Sequence, residues 1–462
     1  MSRPWRIATT FLLGAFYLSG LTAIGLVGPD EPRYAMVARE MAQSGDWLTP
    51  RLEGTGWFEK PALEYWGQAL AFKLGLGDDL SPRLFNALAG AGFLAFFWRL
   101  LRRRFSEDLA WTASLILATT VGWIAESRIA VMDLPLAAAL GAAMLLAMDG
   151  AIVVAGAMLG MAVLAKGLVP LVLVVPALWF CRAQWRQYGY AAAALVAVAG
   201  PWYVLMTLRH GLVFIDEFFI KHHFSRFTET ALQHVQPAWF YLPVLLGMMF
   251  PWTPLVAMLR RPRTDQEKFL WGWLLWGLLF FSVSRNKLPG YILPLLPPLA
   301  VLCALALAES KRSWAWLAAC GALLGLTPAL ITVLPEALAS GLSRASWQLP
   351  VAPMVMLAIG AAGVAAWRGT AAVALTCLMC LGLVMFRVAP AVDERASARV
   401  LSQIVAGHAG EVCVDSLHRA WRYQLDYYLH LTLPDCTKQP RRLRLSQRGS
   451  EPPALTVGQA QE

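Results

Sequence analysis

The chain has few charged residues and none of the cysteine patterns typical of a metal site. Only 15% of its 462 residues are charged, against about 25% in a typical soluble domain. The seven cysteines form no Cys/His cluster with the spacing of a zinc site, because the single CxxC, at Cys377 and Cys380, stands alone within an apolar run. Low-complexity segments, short repeats and a polar N-terminal domain are also lacking. These absences exclude a soluble globular protein and a disordered chain.

Long apolar runs are what the sequence has instead. Hydrophobic residues make up 58% of the chain, and its 20 tryptophans suit the two interfaces of a membrane. Each apolar run is near the ~20 residues that a bilayer-spanning helix needs, and no barrel-like alternation is seen. The sequence therefore predicts an all-α polytopic membrane protein with about thirteen spans, at 6–28, 82–101, 108–125, 133–149, 150–165, 167–182, 188–207, 239–259, 267–284, 289–308, 314–335, 349–366 and 370–389.

Loop charge predicts the orientation of these spans. Alternate connections are basic, which is typical of the cytoplasmic side of an inner membrane; they are 99–105, 181–187, 260–268, 309–313 and 367–369. The first span, without a cleavage site, is expected to stay as a signal anchor with its N-terminus in the cytoplasm. The net charge of +10 is then explained by basic loops facing anionic lipid, without a nucleic-acid partner.

The remaining loops and the C-terminus are expected outside, at 29–81, 126–132, 208–238, 285–288, 336–348 and after 390. In the first loop, Tyr34, Val37, Ala38 and Met41 recur at helical spacing and predict an amphipathic helix on the membrane surface. We divide the chain into a transmembrane domain over 1–390, a small α/β domain over 391–445 and a disordered tail over 446–462. In an oxidising compartment, Cys413 and Cys436 would form a disulfide.

Several charged residues break the rule that outward loops are poor in lysine and arginine. The cations are Arg33, Arg39, Lys60, Lys166, Lys221, Arg226, Arg285 and Lys287, and the acids are Asp30, Glu31, Glu59 and Asp133. A single cation at a helix end can be a snorkelling side chain, and Asp30 or Asp133 can be a helix cap. Cations on four outward connections together with these acids indicate a cavity that binds an anionic, phosphorylated amphiphile.

The motifs around these charges resemble a known family. The loop reads "DEPRYAMVAREMAQSGDWLTPRLEGTGWFEKPALEYW" at 30–66, followed by "MDLP" at 132–135, "AKG" at 165–167, "FFIKHHFSRF" at 218–227 and "KLPGYILP" at 287–294. This order resembles the ArnT-type aminoarabinose transferases, lipid-linked-sugar glycosyltransferases of the GT-C superfamily related to the protein O-mannosyltransferases. Such enzymes move a sugar from undecaprenyl phosphate to a phosphate of lipid A.

The resemblance implies roles for individual residues. Asp30 would be the principal catalytic carboxylate and Asp133 the second acid. The carrier phosphate would be bound by Lys60, Arg226 and Tyr291, with Lys166 and Lys287 nearby, while Glu31, Arg33, Tyr34 and Arg285 would line the cavity. Glu59 and His223 match positions that can hold a structural divalent metal, zinc-like, and no cofactor would be required for catalysis.

The sequence also departs from the family pattern and leaves alternatives open. Glu64 stands where an apolar residue is usual, Met36 where an acid is common, and one proline instead of two follows Lys60. The sugar therefore stays open between aminoarabinose and a hexosamine, and the acceptor between lipid A and another periplasmic molecule. An oligosaccharide or O-antigen ligase, a protein O-mannosyltransferase and a transporter are the rivals, although no inverted repeat favours a transporter.

Overall fold

The computed structural model describes residues 3–224, 235–341, 345–449 and 451–457. In its first half, the helices are α1 Arg3–Leu18, α2 Asp30–Ser44, α3 Leu63–Lys73, α4 Gly77–Arg104, α5 Glu107–Ala118, α6 Val121–Glu126, α7 Asp133–Asp149, α8 Ile152–Lys166, α9 Val169–Leu173, α10 Val175–Phe180, α11 Tyr188–His210 and α12 Leu212–Ile215. A π-helical segment, Asp216–Phe224, follows. A short hairpin of β1 Arg51–Leu52 and β2 Thr55–Gly56 lies between α2 and α3.

In the second half, the helices are α13 Tyr241–Met248, α14 Thr253–Val256, α15 Asp265–Val283, α16 Leu296–Glu309, α17 Ser313–Leu323, α18 Thr327–Ser340, α19 Val351–Arg368, α20 Thr370–Ala396, α21 Arg399–Ala406 and α22 Arg419–Leu429. The 3-10 helix Pro289–Leu295 leads directly into α16. The strands are β3 Val412–Ser416, β4 Leu443–Ser446 and β5 Ala454–Val457.

The apolar helices follow the thirteen expected segments in order, and α7 has the expected bounds. Among the described residues, six helices are long and apolar enough to cross a bilayer, and three shorter apolar helices accompany them. The all-α polytopic fold is therefore confirmed. One interior core joins most of these helices, and it includes Phe97, Trp123 and Trp273, each almost fully buried.

The first expected span is helical only as far as Leu18. The chain from Ser19 to Gly28 is irregular, with positive φ at both Gly20 and Gly28. Its backbone carbonyls accept hydrogen bonds from arginines of distant elements, Arg83 and Arg399. This end of the expected span is therefore a docking segment for other parts of the protein, because irregular backbone inside a membrane protein needs internal hydrogen-bond partners.

Helix α2 differs from its prediction as a helix on the membrane surface. Tyr34, Val37, Ala38 and Met41 are all buried in the protein, in a cluster that includes Tyr65 of α3 and Tyr427 of α22. The expected polar face is also partly covered, because Arg39 donates to the carbonyl of Tyr427 at 2.8 Å. The spacing of the apolar residues correctly predicted a helix, but its apolar face packs against other helices of the protein instead of lipid.

The C-terminal domain is a three-stranded sheet with helices. Strand β4 is central, parallel to β3 and antiparallel to β5, and α22 connects β3 to β4.

Two of the domain boundaries expected from the sequence need correction. Helix α20 continues past 390 to Ala396, where Asp393 accepts from the backbone N–H of Gly25 at 2.7 Å. Strand β5 lies in the segment expected to be disordered, because β4 offers it an edge for backbone pairing.

Cys413 of β3 and Cys436 are joined by a disulfide, as expected. The bond links β3 to the segment before β4, across a sequence separation of 23 residues.

We expect Cys413→Ser/Cys436→Ser to destabilise this domain by about 3 kcal/mol, since the closed loop restricts the unfolded chain. Limited proteolysis of the full-length protein should show faster cleavage within 399–457. Reducing agent should accelerate cleavage of the wild type and leave the variant unchanged; equal resistance of both proteins would contradict the prediction.

Candidate active site

The first loop brings four of the expected site residues together. Arg33 lies between two carboxylates, with Nη2 2.6 Å from Oδ1 of Asp30 and 3.6 Å from Oε2 of Glu59. On the other side of Glu59, Nζ of Lys60 lies 3.1 Å from Oε1. Two acids and two cations therefore form one continuous chain of ion pairs. We call Asp30, Arg33, Glu59 and Lys60 the loop cluster.

The start of α2 positions Asp30 without using it as a cap. The helix begins at Asp30 itself, preceded by Pro29, and no side chain caps the first turn. Asp30 instead pairs with Arg33 three residues later, so the expectation of a cap is wrong in this detail. Its side chain keeps 42% of its surface exposed. An exposed carboxylate in a first turn is also stabilised by the helix dipole.

Arg33 is held by aromatic rings as well as by carboxylates. Its guanidinium lies 5.3 Å from the ring centroid of Tyr34, 5.1 Å from that of Trp57 and 5.8 Å from that of Tyr423 in α22. Burial alone would lower the pKa of Arg33, but the neighbouring Tyr34, Glu59 and Asp30 raise it above its ordinary value. Arg33 is therefore a fixed cation, contacted by both the first loop and the C-terminal domain.

Glu31 has a different role from the cavity residue that the sequence suggested. Its carboxylate is 3% exposed and accepts two hydrogen bonds from the guanidinium of Arg83, at 2.9 and 2.8 Å. It also accepts from the backbone N–H groups of Val27 and Ala130, at 2.9 and 2.8 Å. Glu31 thus joins α2 to α4 and to the loop that leads to Asp133.

Sequence reasoning missed Arg83, which completes this junction. The same guanidinium donates to the carbonyls of Leu21 and Gly25 at 2.9 Å and of Ile24 at 2.5 Å. The signal was present as an arginine at the second residue of the expected span 82–101, and charged residues within spans usually face protein partners. The adjoining Asn86 donates to the carbonyls of Ile129 and Val131, at 2.6 and 2.8 Å. These bonds fix the approach to Asp133.

A second group of charged side chains surrounds Asp133, in the first turn of α7. Asp133 forms an ion pair with Lys166, at the end of α8. Nζ of Lys166 also lies 4.3 Å from the ring centroid of Tyr291. Three expected site residues from distant segments are therefore in contact, in agreement with a shared site. Glu126, which sequence reasoning passed over, lies beside them. We call Asp133, Lys166, Tyr291 and Glu126 the inner cluster.

The other expected site residues lie outside the two clusters or outside the residues that the structure describes. Lys287 is buried, and its ammonium donates to the backbone carbonyls of Ser284 and Gln236. This binding to the backbone keeps it out of the ion pairs of both clusters. Arg285 is exposed. Arg226 lies outside the described residues, and so does the side chain of His223.

Glu64, the acid that departs from the family pattern, is fully buried in α3. It accepts a hydrogen bond from Nε2 of Gln68 at 2.7 Å. Burial raises the pKa of Glu64 well above its ordinary value, and Asp133 and Glu31 raise it further, against the opposing hydrogen bond from Gln68. Burial therefore favours the protonated, neutral form of this side chain.

Glu64 should make folding stability depend on pH. Above pH ~4.5 the unfolded carboxyl loses its proton while the folded one keeps it, so stability falls as pH rises toward the raised folded value. We expect Glu64→Gln to remove this part of the dependence. Thermal unfolding at pH 5 and pH 8 should show a smaller loss for Glu64→Gln than for the wild type. The exposed Glu451→Gln should behave as the wild type; an identical loss in all three proteins would contradict the prediction.

The described side chains do not by themselves form a metal site. Glu59 faces two cations, Arg33 and Lys60, and these compete with a metal for its oxygens. Within the described ranges, no group of three or more His, Cys, Asp and Glu side chains is placed to hold a metal ion. The pairing of Glu59 with His223 stays a prediction, and we assign no chemical step to a metal.

Together the two clusters can bind an anion and stabilise a cation. Lys60, Lys166 and the phenol of Tyr291 offer donors to phosphate oxygens, while Asp30 is exposed and able to face a centre of developing positive charge. Glu31 binds the backbone of Ala130, so the start of α2 is tied to the segment that leads into α7. This arrangement is suited to cleavage of a sugar–phosphate bond.

The chain is similar in sequence and in structure to characterised proteins. Residues 8–242 match the protein-family model described as dolichyl-phosphate-mannose-protein mannosyltransferase. The undecaprenyl phosphate-alpha-4-amino-4-deoxy-L-arabinose arabinosyl transferase of Pseudomonas aeruginosa (strain UCBPP-PA14) is 35% identical over 392 residues, which cover 77% of this chain and 70% of the relative. The protein of the same name from Serratia proteamaculans is 32% identical, over 65% and 58% of the two chains.

A solved structure extends the similarity over nearly the whole chain. The crystal structure of ArnT from Cupriavidus metallidurans bound to undecaprenyl phosphate superposes with a TM-score of 0.78 and 26% identity. The match covers 96% of this chain and 93% of that protein. It therefore includes the helices that carry both clusters and the C-terminal domain.

Proposed function

The chain belongs to the family of undecaprenyl phosphate-aminoarabinose arabinosyl transferases, and on that premise we propose that it moves an amino sugar from undecaprenyl phosphate to a phosphate of lipid A. It is a multi-pass membrane glycosyltransferase of the GT-C superfamily that uses a lipid-linked sugar. The observation that carries the proposal is the Glu31 junction, which ties the helix bearing Asp30 to the segment that ends at Asp133. The sugar is 4-amino-4-deoxy-L-arabinose, or a hexosamine.

The reaction breaks the bond between the anomeric carbon and the carrier phosphate. Negative charge grows on the departing phosphate, and we assign its stabilisation to Lys60, Arg226 and Tyr291, with Lys166 close to the ring of Tyr291. Charge stabilisation of this kind is strong in a cavity that excludes most water. The carrier leaves as undecaprenyl phosphate, whose binding by the Cupriavidus metallidurans protein supports this assignment.

An oxygen of the acceptor phosphate forms the new bond to the anomeric carbon. A phosphate is largely ionised near pH 7 and needs no general base. Asp30 therefore acts by stabilising the positive charge that develops on the sugar and by holding the sugar in place. A hydroxyl acceptor would instead require Asp30 as a base. Direct displacement on the face opposite the carrier inverts the anomeric configuration.

We place the enzyme in the bacterial inner membrane with its active site facing the periplasm. The basic loops at 99–105, 181–187, 260–268, 309–313 and 367–369 support a cytoplasmic location for that side and for the N-terminus. The disulfide between Cys413 and Cys436 supports an oxidising compartment for the C-terminal domain. Lipid A passes through the periplasmic leaflet, where this site would meet it.

Mass spectrometry of lipid A from cells with and without this protein tests the proposal. We expect the mass of lipid A to increase by one pentosamine or hexosamine on a phosphate when the protein is present. This increase should disappear when Asp30 is changed to Asn. The purified protein, supplied with undecaprenyl phosphate-linked aminoarabinose and lipid A, should form the same product. Lipid A that is unchanged in both experiments would refute lipid A as the acceptor.

A protein acceptor is the second candidate, favoured by the match of residues 8–242 to the mannosyltransferase family model. Sugar found on periplasmic proteins, with lipid A unmodified, would support it. A transporter would release no free undecaprenyl phosphate from the donor, so release of the carrier together with transfer of the sugar also excludes transport.

A further inference from the structure

Glu126 is a buried carboxylate of the inner cluster to which the proposed reaction gives no role. It is the last residue of α6 and is 9% exposed. Its Oε2 is buried and has no hydrogen-bond partner among the described residues. An unpartnered carboxylate oxygen away from water costs free energy unless a ligand satisfies it. A ligand with hydrogen-bond donors is therefore expected here.

Gly290 lets the backbone come close to the carboxyl groups of Glu126 and Asp133. A Cβ atom added to Gly290 would lie 3.1 Å from Oε1 of Glu126 and 3.1 Å from Cγ of Asp133. Both carboxyl groups thus face the same point beside Gly290. We call the space between these two carboxyl groups the gap, and a side chain at 290 would press into it. Gly290 directly precedes Tyr291, which contacts Lys166. The gap is therefore continuous with the proposed site for the donor.

Charge defines what can enter this gap. Asp133 is paired with Lys166, which leaves the ionised inner cluster with one carboxylate more than it has cations. Burial and the nearby Asp133 raise the pKa of Glu126, and Lys166 lowers it less. A second cation would stabilise the ionised form of Glu126. A primary ammonium group suits the gap, because it is small and has three donors for two carboxyl groups.

We propose that Glu126 and Asp133 bind the protonated amino group of the donor sugar between their two carboxyl groups, beside Gly290. This inference rests on the proposed function and adds the feature that selects an amino sugar over a neutral one. Glu126 is a specificity-determining residue, since a neutral sugar in the same position would leave its carboxylate unpaired.

The test compares two donors and two forms of the full-length enzyme. The donors are undecaprenyl phosphate-linked aminoarabinose and its N-formylated analogue, which has no positive charge. For the aminoarabinose donor, we expect Glu126→Gln to raise KM by about 10- to 100-fold, which corresponds to a lost charged hydrogen bond. For the formylated donor, which the wild type should use poorly, the KM of the variant should be unchanged or lower.

Two further variants sharpen the result. Gly290→Ala leaves all carboxyl groups in place but fills the gap, and it should show the same selective loss if Glu126→Gln does not fold. Glu107→Gln, an exposed carboxylate on α5, is the matched control and should resemble the wild type. Equal loss with both donors, or no loss with either, would overturn the inference while leaving the proposed function intact. A wild type that transfers neither sugar would refute the proposed function as well.

Discussion

Asp30→Asn is expected to reduce sugar transfer by about 1,000-fold or more while the protein stays folded. The asparagine has the size of the aspartate but lacks the negative charge that, in the proposed reaction, faces the developing positive charge of the sugar. Folding should be little affected, because the Asp30 side chain is 42% exposed. Its partner Arg33 keeps Glu59 and three aromatic rings. Single-turnover transfer from the lipid-linked donor measures the effect.

The matched control for Asp30→Asn is Asp108→Asn. Asp108 also pairs with an arginine, Arg6, but it is 84% exposed and lies in the first turn of α5, after a basic loop. Transfer by this control should equal that of the wild type. Thermal unfolding of both variants should occur near the wild-type temperature. If Asp30→Asn retained near-full activity, Asp30 would have to be removed from the catalytic group.

Arg83→Met is expected to lower the free energy of unfolding by about 3–5 kcal/mol, which is a large fraction of the total stability of a typical protein. The substitution leaves the carboxylate of Glu31 buried without its charge partner, and it frees the carbonyls of Leu21, Ile24 and Gly25. A methionine has a similar volume and offers no donor to any of these groups. Thermal or denaturant unfolding in detergent should therefore show a large shift.

Arg103→Met is the control on the same helix. Arg103 is 50% exposed and pairs with Asp149 near the other end of α4, and exposed pairs of this kind contribute about 0–1 kcal/mol. The double variant Arg83→Met/Glu31→Gln should recover part of the lost stability, because no unpaired charge then remains. Equal stability of Arg83→Met and Arg103→Met would show that the buried pair has no such role.

The transmembrane part of the fold could be predicted from sequence because the bilayer imposes a strong rule on length and hydropathy. Helix α7 has the expected bounds, and α11 and α20 begin at the expected residues. The rule says nothing about what covers an amphipathic helix, so the apolar face of α2 was assigned to lipid instead of to Tyr65 and Tyr427. Pairing of β5 depends on the edge of β4, which local sequence does not show.

The candidate site was predictable where unusual charges lie in loops. Asp30, Asp133 and Lys166 stand out against apolar surroundings, and the structure places Lys166 against Asp133. Arg83 and Glu126 were missed because each lies at the end of an apolar run, where a charged residue is ordinarily taken to reach water. Only the fold shows that both are buried. Their partners, Glu31 and the gap at Gly290, come from distant parts of the chain.

The contact between Arg33 and Tyr423 has a consequence for how the protein is made. Tyr423 follows all of the apolar helices in the sequence, so it leaves the ribosome after the complete transmembrane domain. In the proposed orientation, the guanidinium beside Asp30 gains this ring only when the C-terminal domain has crossed the membrane and docked. The enzyme would therefore complete its active site last, after its final segment has crossed the membrane.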